Sequence, residues 1–579
     1  FLDLESGNDR GRLYRLASPG MKRTPFPKLG SKSSADLVPE LASPNSWNRE
    51  TAQRLLWERQ DKSVIPQLRS LVVNSPAPLG KLHALWTLSG LDGLDVPTLL
   101  AGISDSHPGV REHSLRLSDT LAHDSTVLQQ AILKLSSDPE YRVRLQLAFS
   151  LGEIKSAAAD AGLVQLAVAD AADSDLRTAW LSSILGREGK LTKELLATPD
   201  FVAASHALSL LVPLASVAGG AADQHQLSLF LTAIADEKVS IAWQQRLLES
   251  LGEGLARQGK SVASILKSPE VPAATRTAVE NLFSQAVARA NNSEIADGER
   301  TVALALLQFA DHSIAGPVLP QFFTPQSSPA LQSAAVTTLI ALNENDSIQS
   351  LLNDSWTALS PAVRKQAIDQ LSSSVPRLKQ LLTAVESEVI RPSEFDRDKK
   401  QAFLNHPNAE VKALAVKLFG KESNPDRAKI IAEYQPALKL TADVTRGEAV
   451  YKKICANCHQ VGSQGHVVGP NLATTSNKSH ADLLMNILDP NREALPLYQT
   501  YTIETDQGKI LTGMIGAESA TSITLKRAEG VQETILRTNI VQIISNGVSL
   551  MPEGLEKELN HQQIADVIEF IKSIPPMAK

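Results

Sequence analysis

Cysteine is nearly absent from this chain, whose 579 residues contain only Cys455 and Cys458. One cysteine pair cannot build a disulfide framework, and a structural zinc site normally needs a second pair or further ligands. An excess of basic residues is also absent: the net charge is −6 and the pI is about 6.1, which argues against a nucleic-acid partner. The stretch 201–222 has no charged residue, but it contains Pro213 and two adjacent glycines, so it predicts a buried helix followed by a loop rather than a membrane span.

The remaining composition, 43% hydrophobic and 21% charged residues, is typical of a globular protein with several domains. Both cysteines belong to the segment Cys455-Ala456-Asn457-Cys458-His459. C-x-x-C-H is the attachment signature of c-type haem, in which two thiols bond to the vinyl groups and the adjacent imidazole binds the iron. A redox dithiol would instead be expected in a βαβ setting, which the flanking sequence does not offer.

We therefore predict one covalently attached haem c, with its iron, at Cys455, Cys458 and His459. Two residues between the thiols let one helical turn present both sulfurs and the imidazole to one edge of the macrocycle. Because such haem is attached on the outer side of a bacterial inner membrane, we expect a periplasmic or cell-surface location. No structural disulfide is then available to the rest of the chain.

A helical repeat with a period in the low thirties begins near residue 46. Each repeat has an apolar anchor, often followed by arginine, and a small or apolar residue five positions later. Such a period predicts stacked helix pairs, an α-solenoid, over 46–423, and the V-R-x-x-A-x-x-L pattern resembles HEAT-type repeats. An unrelated helical bundle is the alternative. The anchors are Trp47, Leu79, Val110, Val143 and Leu176, and the phase returns at Leu331, Val363 and Val411.

Two segments do not have the pattern of a domain. Residues 1–45 contain one alternating, strand-like run (11–16) followed by a linker rich in proline, serine and lysine. A lone strand cannot bury its own face, so we predict a remnant of a larger upstream domain and expect a mature or truncated chain. Residues 424–440, with a proline near each end, are predicted as a second linker before a unit at 441–579.

The unit at 441–579 has a predicted helix before the attachment motif and an amphipathic one at 561–574. This arrangement resembles class I cytochrome c, whose first and last helices cross. By that resemblance Gly447 and Tyr451 pack against Phe570. The resemblance also implies that the carbonyl of Pro470, in the segment Gly469-Pro470-Asn471-Leu472, accepts a hydrogen bond from the Nδ1–H of His459.

The sixth iron ligand has several candidates. Met551, which precedes Pro552 on the loop before the last helix, occupies the place where a class I cytochrome keeps its axial methionine. A thioether ligand raises the reduction potential relative to a second imidazole, which suits an electron acceptor. His480, giving a bis-histidine haem, and an open site are the alternatives. Met485 is predicted to belong to a helical core and Met514 to a strand.

A β-patterned stretch separates His459 from Met551. Its short alternating runs and tight turns predict a small SH3- or Sm-like barrel inserted at about 498–547. The fold class predicted for the whole chain is thus mainly α: HEAT-like helix pairs, then a cytochrome c-like domain with an inserted β-barrel. The predicted strands are Tyr498–Ile503, Lys509–Ile515, Ser522–Leu525, Val531–Leu536 and Ile540–Ile544.

Several stretches of the C-terminal part resemble a family of haem-binding, membrane-associated dehydrogenases best known from planctomycetes and related bacteria. Over 46–423 the resemblance rests on the repeats alone. In that family a β-propeller similar to quinone-dependent sugar dehydrogenases precedes the repeats, and residues 11–16 look like its final strand. The stretches are Asn424–Ala428, Tyr434–Leu438, the C-x-x-C-H segment, Leu488–Pro490, Tyr498–Tyr501 and Ser549–Gly554.

Three functions follow as hypotheses. In the first, which the resemblance favours, the chain is a non-catalytic electron-transfer module of a dehydrogenase, and its partner is the propeller domain or another redox protein. The resemblance also implies membrane association without a transmembrane segment in this chain. In the second, the repeats are a binding scaffold and the haem is a sensor or redox tether. The third, a haem peroxidase, would usually need a second haem or distal catalytic groups, and only one C-x-x-C-H exists.

Overall fold

A computed structural model describes residues 19–20, 26–420, 425–492 and 498–575, so the predicted strand at 11–16 lies outside the described residues. The protein is mainly helical, with solenoid-like helical repeats and a small antiparallel sheet near the C-terminus. Its contacts divide it into two compact units, residues 1–233 and 234–579. The division falls inside the predicted solenoid rather than at its predicted end. In the described part of the chain, no helix combines the length and apolarity needed to cross a bilayer.

The first unit consists of helices stacked in two rows. Helices α2, α4, α6, α8 and α10 contact one another in succession, and α3, α5, α7 and α9 do the same in the second row. The bounds are α1 (Ser34–Leu37), α2 (Ser46–Arg59), α3 (Ile65–Asn74), α4 (Pro78–Gly90), α5 (Val96–Ile103), α6 (Pro108–Leu117), α7 (Thr126–Leu133), α8 (Tyr141–Ser150), α9 (Ala157–Asp170), α10 (Ser174–Ser182), α11 (Glu188–Leu196), α12 (Pro199–Ala203), α13 (Ala207–Ala221) and α14 (Gln224–Ile234).

In two repeats, the arginine of the pattern ties its repeat to the next. Arg111 donates two hydrogen bonds of 2.7 Å to the carboxylate of Asp138, and Arg144 donates bonds of 2.6 and 2.8 Å to Asp170. Each arginine also donates to carbonyl oxygens of the turn that precedes its own helix. The apolar residue before each arginine, Val110 or Val143, is fully buried. The Val-Arg pair therefore has one residue for the core and one for the bidentate link between repeats.

Two predicted anchors are wrong. Trp47 is 45% exposed and Leu79 is 51% exposed. Next to Leu79, the buried residue is Gly80. A search for apolar side chains does not find this position, because glycine has no side chain. The segment before residue 45 is also not only a linker, because its leucines Leu29, Leu37 and Leu41 are buried and its helix α1 contacts α2.

The second unit continues with helices and ends with the predicted haem unit. Along the chain, α18, α20 and α22 contact in succession, as do α22, α23 and α25. The bounds are α15 (Ile241–Ala256), α16 (Val262–Leu266), α17 (Ala273–Asn291), α18 (Asp297–Leu307), α19 (His312–Ala315), α20 (Pro329–Leu342), α21 (Asn345–Ser350), α22 (Pro361–Leu371), α23 (Val375–Glu386), α24 (Arg397–Leu404), α25 (Ala409–Phe419), α26 (Pro425–Tyr434), α27 (Val444–Lys453), α28 (His480–Leu488) and α29 (His561–Ser573).

Residues 425–440 are packed structure rather than the predicted linker. Helix α26 contacts α28, and a 3₁₀ turn at Gln435–Lys439 contacts α29. Tyr434 and Ala437 are buried in the same apolar cluster as the predicted haem-unit helices. Proline suggested a linker, yet Pro425 is the first residue of α26, where a missing N–H costs no hydrogen bond.

The insertion is a five-stranded antiparallel sheet of order β4-β3-β2-β1-β5. One apolar cluster takes side chains from all five strands, so the sheet curls around its own core. The ladders between described strands leave β4 and β5 as edges, so the predicted SH3- or Sm-like barrel is, within the described strands, a curved five-stranded sheet. The strands are β1 (Gln499–Thr505), β2 (Ile510–Glu518), β3 (Ser522–Lys526), β4 (Gln532–Leu536) and β5 (Ile540–Ser549).

Two buried arginines attach this sheet to the helices of the second unit. Arg537, only 1% exposed, donates to the carbonyl of Pro325 at 2.9 Å and pairs with Glu518 of β2 at 2.5 Å. Arg364 of α22, 3% exposed, donates to the carbonyl of Ile543 in β5 at 3.1 Å. Because these groups are withdrawn from water, the sheet is a fixed part of the second unit.

Candidate functional site

The attachment motif lies on a 3₁₀ turn, Cys455–Asn457, that directly follows α27. The N–H groups of Cys458 and His459 both donate to the carbonyl of Cys455, at 3.1 and 2.9 Å. This tight turn brings both thiols and the imidazole to one short stretch of surface. Both cysteines are free and half-buried. Burial, with a smaller contribution from Cys458, raises the pKa of Cys455 to about 12, and burial also raises the pKa of Cys458, so both thiols are protonated at neutral pH.

The imidazole of His459 is fixed by one strong contact. Its Nδ1 lies 2.7 Å from the carbonyl oxygen of Pro470, the pair that the resemblance implied. Burial lowers the pKa of His459, although the Pro470 bond acts in the opposite direction. The ring is therefore neutral, with its proton on Nδ1, and no described residue hydrogen-bonds its Nε2. A neutral imidazole with a free Nε2 and a bonded Nδ1–H is the form that ligates a metal.

Gly469 leaves room for this ring. A Cβ at that position would lie 2.6 Å from Cε1 and 2.9 Å from Nδ1 of His459. The loop between the two residues is tied back at both ends, because Tyr451 OH lies 2.9 Å from the carbonyl of His459 and the N–H of Gly469 donates to the carbonyl of Cys458 at 2.7 Å. The role of Tyr451 in holding this loop was not foreseen from the sequence.

Helices α27 and α29 cross at Gly447, and the structure brings together the three residues named for this crossing. A Cβ at Gly447 would lie 2.0 Å from the carbonyl oxygen of Asp566 and 2.8 Å from Cβ of Phe570. The rings of Tyr451 and Phe570 are 5.2 Å apart. Beside the crossing, Arg446 donates two hydrogen bonds, of 2.7 and 2.9 Å, to the buried carboxylate of Asp566.

The candidate sixth ligands lie in different surroundings. Met551 is half-buried on the loop between β5 and α29, and its N–H donates to Ser549 Oγ at 3.1 Å. His480 is exposed at the start of α28, with Nε2 3.2 Å from Glu569 on α29. Met514 is buried in β2, and Met485 is half-buried in α28.

The inserted sheet touches the attachment motif. The 3₁₀ turn Ala528–Gly530, between β3 and β4, contacts the turn that carries the cysteines. The ring of His466, in the loop after the motif, lies next to Gly530. The sequence analysis did not predict this contact, because the sequence of a turn between two strands does not indicate which distant residues the turn contacts.

The donor set suits a covalent haem c. Two protonated, half-buried thiols can form thioether links, Nε2 of His459 is available as a fifth ligand, and apolar side chains surround the motif. Cys455 itself packs against the apolar cluster of the unit. Within the described ranges, no group of three or more His, Cys, Asp or Glu side chains is placed to hold a metal ion.

Comparison with solved structures finds matches at low similarity. The crystal structure of Kap121p bound to Pho4p matches with 14% identity and a TM-score of 0.35, covering 71% of this chain and 56% of that one. A model of the full-length AP-3 complex matches with 15% identity and a TM-score of 0.27, covering 74% of this chain and 78% of that one. The chain thus spans about 56% of the Kap121p chain.

Comparison with curated proteins gives no match. A family model does match part of the chain: residues 442–512 fit "Cytochrome C oxidase, cbb3-type, subunit III". The matched segment includes α27, the C-x-x-C-H motif and Pro470, and it ends in β2, before Met551 and α29. A cytochrome c-type domain implies haem c and haem-based electron transfer. Residues 442–512 are therefore a cytochrome c-like segment.

Proposed function

We propose that residues 441–579 are a c-type haem electron-transfer module that connects a quinone-type dehydrogenase with a downstream acceptor. The observation that carries this proposal is the 2.7 Å bond between Nδ1 of His459 and the carbonyl of Pro470, directly after the two thiols. This bond favours metal binding at Nε2 of His459, because it keeps the proton on Nδ1 and increases the basicity of the imidazole.

Bound haem c supplies a one-electron couple, and the chain supplies its attachment and surroundings. Cys455 and Cys458 are the tethers and His459 is the first axial ligand. Met551 is the proposed second axial ligand, and a thioether at this position raises the reduction potential compared with a second imidazole. The exposed position of His480 and its contact with Glu569 support Met551 over the bis-histidine alternative.

The electron donor in this proposal is a β-propeller dehydrogenase, as a preceding domain or a separate protein. The support is the family resemblance of the stretches named above. Cytochromes of the cbb3 type are typically extracytoplasmic or membrane-associated, which is consistent with a periplasmic or cell-surface location. The proposal includes no catalytic residue in this chain.

The ligand assignment is tested on the full chain after co-expression with a haem c maturation system. We expect Met551→Ala to remove the sulfur-to-iron charge-transfer band of the ferric protein in the far red and to lower the midpoint potential. His480→Ala is the matched control and should leave both unchanged. Absence of the band from the unchanged protein, or its survival in Met551→Ala, would show that Met551 is not the ligand.

A binding scaffold with a haem sensor remains the second candidate, because the first unit has a surface groove of about 380 Å³. Its indoles are held in place: Trp57 is 58% exposed yet lies against Gly90, and Trp86 donates to Nδ1 of His113 at 3.2 Å. A sensor with an open sixth position would bind CO immediately in the ferrous state, whereas bound Met551 would have to leave first. The groove is lined by Glu50, Gln53, Arg54, Trp57, Trp86 and Thr87.

A further inference from the structure

The loop that carries Met551 is held at both ends by residues far from it in sequence. We call residues 549–559 the methionine loop. At its first end, Asn491 accepts a hydrogen bond from the N–H of Ser549 at 2.7 Å and donates to Glu553 at 2.6 Å. The N–H of Leu550 donates to the carbonyl of Tyr498 at 3.2 Å. The residues on either side of Met551 are therefore fixed to the segments before β1.

Helix α26 holds the other end of the loop. Arg427 donates to Glu556 at 2.9 Å and to the carbonyl of Leu488 at 3.3 Å, and its Nε lies 3.4 Å from Glu553. The Tyr434 hydroxyl lies 2.9 Å from the carbonyl oxygens of both Glu556 and Leu559. Arg427, Tyr434 and Glu556 are largely withdrawn from solvent, so these bonds are worth more than exposed ones.

Arg427 and Arg492 are the cations beside a group of acidic residues at this end of the loop. The side chain of Glu556 is 12% exposed, and Asp489, which is 5% exposed, lies beside Glu553. Burial, followed by the charge of Glu553, raises the pKa of Asp489, while Arg492 and Arg427 act against that increase. Without Arg427, Glu556 would be left nearly buried without its partner, and the loop would relax to expose it.

These contacts join four of the stretches that carry the family resemblance: Arg427 in Asn424–Ala428, Tyr434, the carbonyl of Leu488, and Ser549–Gly554. None of them contains a haem-attachment residue, and α26 lies before the matched segment 442–512. A methionine on a loop can hold iron only if the loop keeps the sulfur in place, and partners outside the ligand set commonly change metal affinity 10–100-fold.

We propose that Arg427 and Asn491 are positioning residues for Met551, and that α26 belongs to the haem unit and fixes the methionine loop. This inference rests on the proposed function, in particular on Met551 as the axial ligand. Arg427 acts through the carboxylates of Glu553 and Glu556, and Asn491 acts through the N–H of Ser549 and the carboxylate of Glu553. Their loss therefore makes Met551 easier to displace while His459 and the thioether tethers are unchanged.

The experiment measures imidazole affinity for the ferric full-length protein, because imidazole must displace Met551 to bind. We expect Arg427→Met and Asn491→Ala each to bind imidazole about 10-fold more tightly than the unchanged protein. Arg427→Lys keeps a cation but cannot donate to two partners as arginine does. Its imidazole affinity should lie between those of the unchanged protein and Arg427→Met. Arg446→Met, which breaks the ion pair with Asp566 at the α27–α29 crossing, is the control for loss of an ion pair elsewhere in the haem unit and should change the affinity less than 3-fold.

Far-ultraviolet circular dichroism of each variant shows whether it is folded, and Asn491→Ala provides the test if Arg427→Met does not load haem. Unchanged imidazole affinity in folded Arg427→Met or Asn491→Ala, together with loss of the far-red band in Met551→Ala, would overturn the inference and leave the proposed function standing. A far-red band that survives in Met551→Ala would overturn the ligand assignment and the inference together.

Discussion

At the scale of single residues, the sequence motif predicted the part of the site that is local. The C-x-x-C-H segment is contiguous, so its spacing alone places two thiols and an imidazole on one turn, and the resemblance added the Pro470 carbonyl. The proposed role of Met551 as an iron ligand cannot be deduced in this way, because a long insertion separates it from His459. Leu79 shows the same limit in the repeats, where a one-residue change of phase moves a side chain from core to surface.

The space beside His459 gives the first prediction. Gly469→Ala should displace the imidazole, since the added methyl would lie 2.6 Å from Cε1, and should reduce the low-spin fraction of the ferric haem spectrum. Pro470→Ala is the control, because the acceptor is a main-chain carbonyl that alanine keeps. A larger effect of Pro470→Ala than of Gly469→Ala would contradict this account of the site.

At the scale of elements, amphipathic periodicity predicted helix α29 and the strands of the insertion. It did not predict that residues 425–440 are packed, because two prolines suggested a linker and the buried Tyr434 and Ala437 are too few for a pattern. The barrel predicted for these strands depends on pairings between distant edges, which alternation within a strand does not specify.

The crossing of α27 and α29 gives the second prediction. Gly447→Ala would place a methyl 2.0 Å from a main-chain oxygen that cannot move alone, so the helices must separate. We expect the free energy of unfolding to fall by about 1–3 kcal/mol in urea titrations. Gly298→Ala, at a helical glycine of the same unit with open space around it, should change it by less than about 0.5 kcal/mol.

Asp566 gives a prediction of pH dependence. Burial alone would raise its pKa, but hydrogen bonds from Arg446, Gln562 and the N–H of Asp443 lower it below the ordinary 3.8. The folded state therefore binds this proton less tightly than the unfolded state, and its stabilisation is present above pH 3.8 and is lost as the pH falls through the lower folded pKa. Thermal unfolding should show Asp566→Asn as less stable than the unchanged protein at pH 7, with the gap narrowing in acid.

At the scale of the whole molecule, composition and repeats predicted the helical class but not how the parts attach. The sheet is held on the helices of the second unit by Arg537 and Arg364, whose partners are main-chain carbonyls. Every residue has a main-chain carbonyl, so the sequence cannot indicate which carbonyl an arginine will contact. The contact between the turn Ala528–Gly530 and the cysteine-bearing turn could not be predicted from the sequence either.

The attachment of the sheet gives the prediction at this scale. Arg537→Met would leave Glu518 and the carbonyl of Pro325 without their partner in a buried interface, and we expect a loss of about 3–5 kcal/mol in the free energy of unfolding of the second unit. Arg289→Met removes an ion pair whose two side chains are about half exposed, and it should cost less than about 1 kcal/mol. Equal losses for the two variants would show that the sheet is not anchored by Arg537.

The central claim is a haem bound covalently through two cysteines, and its most direct test is extraction with acid acetone after expression with a haem c maturation system. The account predicts that the colour stays with the polypeptide, that the intact mass rises by one haem, and that the variant with both Cys455→Ala and Cys458→Ala keeps no colour after extraction. A colourless purified protein, or a pigment that acid acetone removes completely from the unchanged chain, would contradict it.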